Sequence, residues 1–129
     1  MTAALLRDGR VVIREVRFCV RPWSRLRGLL GVRALGADRA VFLAPCAAIH
    51  TWFMRLTLDV VFLDRGLRVV RVFRDLRPFR AAWGGPAAWG ALELEAGWLP
   101  PDALPPGAAV AFSPSPADAG RRSPWRGSS

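Results

Sequence analysis

Apolar residues fall in short blocks, several of them alternating with polar positions, and Gly, Pro or Asp separates one block from the next. That patterning predicts strands more often than helices. In LLRDGRVVI the Asp8-Gly9 pair stands between two apolar runs and predicts a tight hairpin, because Gly tolerates the positive φ of such a turn. VRFCV alternates and extends the second arm. Pro22 followed by WSRLRGLLG predicts one short helix: Pro fits a first turn, Ser24 can cap, and Gly28 or Gly31 can end it. Strands are expected over residues 40–44 and 49–54. DVVFLD, the turn Asp64-Arg65-Gly66 and LRVVRVFRD predict two strands joined tightly. In the second of these, Val69, Val72, Phe73 and Leu76 also sit at helical spacing, with Arg68, Arg71 and Arg74 opposite. The β-branched content and the preceding turn favour the strand, since Val loses side-chain freedom in a helix and packs well on a pleated surface. A Gly- and Ala-rich loop over 83–90, a strand in ALELEAG, a turn-rich connector in WLPPDALPPG with room for a helical turn, and a last strand in AAVAF complete the pattern. The fold class expected is α+β, mainly β: a twisted or barrel-like mixed sheet with one short helix packed on it.

Residues 113–129, SPSPADAGRRSPWRGSS, hold a single large apolar side chain, Trp125, and are expected to form a disordered Ser/Pro/Arg tail behind a single domain over 1–112. A chain of 129 residues suits one domain with a sizeable core. The formal charge of +9 would ordinarily suggest an anionic partner. Yet all 19 basic residues are Arg, while Lys, Asn, Gln and Tyr are absent, a pattern that GC-rich coding would also produce. Nucleic acid is therefore not the expected partner on charge alone; an unidentified small molecule or protein is. The N-terminal MTAALLRDGR lacks the apolar run of a secretory signal, and no stretch has the ~20 uninterrupted apolar residues of a membrane span. Two widely spaced cysteines, Cys19 and Cys46, make neither a disulfide framework nor a thiol zinc site, so a reducing cytoplasm is the expected compartment and no cofactor is implied.

The most informative stretch for chemistry is 46–59. His50 is the only histidine, and so the simplest general base near neutral pH. Cys46 and His50 share strand parity, so a thiolate–imidazole pair with Asp59 orienting the ring is geometrically conceivable as the catalytic set. The same three residues fall short of a zinc set. A small buried Cys and a rim His that bonds to backbone are the commoner outcomes for such residues. Asp59 opens an apolar strand and needs a partner, for which Arg25 and Arg27 on the expected helix are the candidates. Glu93 and Glu95 share parity and would most simply lie on the polar face of an alternating strand. Trp52, Phe53 and Met54 could line a groove, and Trp83, Trp89 and Trp98 fall in loop-like surroundings where aromatic exposure usually reflects binding.

RLRGLLG, AVFLA, WFMRLTLDVVFLD, LRPF, LELEAG and LPPGAAVAF, in this order and spacing across residues 10–112, resemble domain-of-unknown-function family 192, a prokaryotic family of small domains. The resemblance implies a mainly β domain with a short helix near its start, and it implies no reaction. Two positions depart from the family pattern: Ala108 follows Gly107 where an Asp is common, and Arg55 follows Met54 where a polar residue such as Asn is common. A non-catalytic binding or accessory module is favoured, with a shallow site formed by Arg27, His50, Trp52, Met54 and Asp59. A small Cys46–His50 hydrolase comes second and an Arg-driven nucleic-acid binder third.

Overall fold

The Asp8-Gly9 hairpin forms with both turn residues at positive φ, 53° and 77°, the geometry whose twist matches paired strands. It joins β1 (Thr2–Arg7) to β2 (Arg10–Cys19) in antiparallel register, Arg7 opposite Arg10. These coordinates are a computed structural model in which residues 2–19, 35–52 and 55–114 are described. The expected helix, with Arg25 and Arg27, lies outside the described residues, as does nearly all of the expected tail.

β2 pairs in parallel with β3 (Arg39–Leu43), and the chain then makes β4 (Ala48–His50), β5 (Leu58–Leu63), β6 (Val69–Leu76), β7 (Ala81–Trp83), β8 (Gly90–Glu95) and β9 (Val110–Pro114). Seven strands form one mixed sheet in the order β6-β5-β8-β3-β2-β1-β9, and β4 pairs with β7 in a separate two-stranded ribbon. The sheet is not closed into a barrel. Its edges meet at one corner, where Arg68 bridges to Ala109 and the Val69 amide donates to the Ala108 carbonyl at 2.9 Å. The segment that fitted either period is a strand, β6, so β-branched packing prevailed over the helical spacing. β4 is shorter than the strand expected over 49–54; it ends at His50, and residues 53–54 lie outside the described set. β9 runs through Ser113 and Pro114, which pair with Ala4 and Ala3.

Both faces of the sheet are buried. Val61, Leu63, Leu92, Leu94, Ala40 and Phe42 form the first core with Leu99 and Leu104 of the connector. Val41, Leu43, Leu58, Val60, Phe62 and Ala91 form the second, which Ile49 and Ala82 of the ribbon cover. At the ribbon's end a Cβ on Gly84 would stand 2.5 Å from the Phe62 ring and 2.7 Å from Ala88 Cβ. Gly84→Ala should therefore destabilise by about 2 kcal/mol, the usual cost of overpacking. An unchanged urea midpoint would show that Phe62 can yield.

Candidate functional site

The ribbon alternates cleanly. Ile49 and Ala82 point into the second core, while Ala48, His50, Ala81 and Trp83 face outward. The register sets Ala48 opposite Trp83 and His50 opposite Ala81, so His50 and Trp83 lie on one diagonal and two alanines on the other. Beyond His50 comes Trp52, whose ring centroid is 5.3 Å from the imidazole.

A buried threonine holds the far end together. Thr51 donates from Oγ1 to the Arg77 carbonyl at 2.6 Å and accepts from the Arg80 amide at 2.9 Å. Its own carbonyl accepts from the Phe79 amide at 3.0 Å. These bonds tie the 77–80 turn, with Phe79 at positive φ, beside Trp52. Trp52, Phe79 and Trp83 are 52%, 58% and 57% exposed, three of the four large apolar side chains so exposed among the described residues. Arg71 donates to the Trp83 carbonyl at 3.2 Å, and its guanidinium lies 4.9 Å from the Phe73 ring centroid. Arg71, Arg77 and Arg80 are exposed, and none has a carboxylate partner among the described residues.

The expected catalytic set is not assembled. Asp59 is buried on the opposite face of the sheet from the ribbon, paired with Leu94 in register. Its Oδ2 lies 2.9 Å from Arg74 Nη1 and its Oδ1 accepts from the Asp75 amide at 3.0 Å. Asp59 therefore orients neither His50 nor a ligand beside Trp52. Among the described residues its partner is Arg74, from the neighbouring strand of the same hairpin, while the expected Arg25 and Arg27 lie outside them. Arg74 also donates to the Leu99 and Pro100 carbonyls, at 2.9 and 2.7 Å, and so clasps the connector to the sheet.

Cys46 Sγ donates to the Ala48 carbonyl at 3.1 Å. It lines a shallow groove of about 710 Å³ with Pro45, Asp64, Arg65, Pro86 and Trp89, at the Ala48–Trp83 end of the ribbon. The Asp64 carboxylate there accepts from the Arg68 amide at 2.9 Å and belongs to the turn. No group of three or more metal-capable side chains occurs among the described residues.

Of the loop tryptophans, only Trp83 is exposed; Trp89 and Trp98 pack against the first core. Glu93 is not on a polar face. It is buried between Val41 and Val60, and burial pushes its carboxyl up to about 7. Glu95 accepts from the Leu35 amide at 3.0 Å. His50 and Trp52 of the expected binding set do meet, while Arg27 and Met54 lie outside the described residues. Phe79 and Thr51 carried no local signal, because a buried hydroxyl acquires meaning only from the turn that it holds.

The model of the family described as Uncharacterized ACR, COG1430 matches residues 4–112. The chain belongs to DUF192. No curated protein matches it. Two crystal structures share the DUF192 chain's fold at a TM-score of 0.74 each. One, a protein of unknown function from Novosphingobium aromaticivorans DSM 12444, is 15% identical, with 86% of this chain and 84% of that chain covered. The other, a candidate transcription regulator from Sinorhizobium meliloti 1021, is 20% identical, with 86% and 92% covered. At these identities the likeness is one of fold. No helix among the described residues of this DUF192 domain is long and apolar enough to cross a membrane.

Proposed function

We propose that this DUF192 domain is a non-catalytic binding module, working in a reducing compartment such as the cytoplasm, whose contact surface is the outer face of the β4–β7 ribbon. The observation that carries this is the grouping of Trp52, Phe79 and Trp83, each more than half exposed, around His50. A domain that buries both faces of its main sheet has no packing reason to leave three aromatic rings in water. The residues able to do acid–base or nucleophilic chemistry are, by contrast, dispersed: Asp59 is committed to Arg74, and the Cys46 thiol donates to a backbone carbonyl.

Cys46 discriminates this proposal from the hydrolase alternative. In a Cys19→Ala variant, which leaves Cys46 as the remaining thiol, iodoacetamide should react slowly at pH 6, and adding His50→Ala should change nothing. A thiolate paired with imidazole would react fast at pH 6 and slow down on loss of His50. That outcome would replace the binding module with an enzyme.

A further inference from the structure

We infer that the ribbon's outer face takes single-stranded nucleic acid, its bases stacking on Trp83, His50 and Trp52 and its phosphates meeting Arg71, Arg77 and Arg80. This rests on the ribbon being the contact surface and names its partner class. Two features of the face point the same way.

The first is the spacing of the rings. Diagonal neighbours on an antiparallel pair are about 7–8 Å apart, roughly two base-stacking steps of about 3.4 Å. His50 and Trp83 stand on such a diagonal, with only Ala48 and Ala81 on the other, so the rings rise from a floor of methyl groups. A flat base can lie against a ring there without displacing a neighbour. Trp52, already ring to ring with His50, continues the row. Base–aromatic stacking is tolerant of sequence, because every base has a π-face.

The second is charge. Arg71 is held at the Trp83 end by its bond to that residue's carbonyl. Thr51 fixes the backbone of Arg77 and Arg80 at the Trp52 end, and both side chains are exposed there. Cations without carboxylate partners among the described residues, at both ends of an aromatic row, complement a polyanion that runs along it. The domain's overall basicity said nothing of this, because it did not show where the charge sits. The same charge argues against the chain's own C-terminal segment as the occupant, since Arg121, Arg122 and Arg126 against Asp118 give it the sign of the face itself.

The test uses the full chain and fluorescein-labelled oligo(dT) of 20 nucleotides, followed by anisotropy at 50 and 200 mM NaCl. Saturable binding is expected, weakening about 20-fold between the two salts if three phosphates are neutralised. Trp52→Ala and Trp83→Ala should each weaken it by about 5- to 150-fold. Both side chains are largely exposed, so the thermal midpoint should stay put and exclude misfolding as the cause. Arg77→Ala with Arg80→Ala should flatten the salt dependence. No binding at 50 mM salt, or binding that both tryptophan variants retain, overturns the proposal. Binding of a Glu–Trp copolymer in place of the oligonucleotide would overturn it too and assign the face to acidic protein segments. None of these outcomes alters the rate of Cys46 alkylation, so failure here is distinct from failure of the non-catalytic module.

Discussion

Asp59→Ala should lower the stability of the domain by about 3 kcal/mol or more, measured as a shift of the urea midpoint at constant slope. The carboxylate is 2% exposed and holds both the Arg74 guanidinium and the Asp75 amide. Removing it leaves a half-buried amide without its acceptor and a guanidinium without its counter-charge. Arg74 is 32% exposed and can turn partly to water, which places the loss at the lower end of the range for broken buried pairs. The damage should spread through the clasp, because Arg74 also secures the Leu99 and Pro100 carbonyls. Asp59→Asn keeps an acceptor for the Asp75 amide and should lose less. Two nearly neutral substitutions would show that Arg74 holds the connector unaided.

Glu93→Gln should make the domain more stable at pH 8, by about 2–3 kcal/mol, while leaving it nearly unchanged at pH 4. Below the ordinary carboxylate value of 4.5, Glu93 is protonated in the folded and the unfolded chain alike. Between there and about 7 the unfolded chain has released the proton while the folded chain still holds it. Stability therefore falls as pH rises through this window, and levels off above it. Glutamine cannot ionise, so its curve should stay flat where the parent's declines. Parallel curves from pH 4 to pH 8 would mean that Glu93 ionises in the fold as freely as in water.

Much of the strand order was legible because turns announce themselves. Asp8-Gly9 and Asp64-Arg65-Gly66 each lie where two arms pair. The partner of Asp59 was legible in principle as well. A hairpin about residues 64–66 brings Leu76 opposite Leu58, and Arg74 to the neighbourhood of Asp59, so the register already carried this pairing. Glu93 misleads for a general reason: alternation assigns a residue to a face, and a central strand covered on both sides has no face left for water. The ribbon was the least legible part. Strands of three residues carry almost no periodic signal, and the aromatic row exists only after β4 and β7, more than 30 residues apart, have paired. Trp52 and His50 stood out in the sequence, whereas Phe79 joins them through backbone bonds to Thr51.

The pairing of β1 with β9 gives the molecule a particular order of completion. Ala3 lies opposite Pro114, so β1, which leaves the ribosome before β9, waits for that strand before its outer edge is covered. Until then TAALLR offers a row of unsatisfied amides and carbonyls beside apolar side chains, the kind of edge on which another nascent chain can add. A truncated copy that stops before Val110 would keep this edge open permanently. Self-association is thus a built-in hazard of incomplete synthesis, and β9 acts as the sheet's own guard against it.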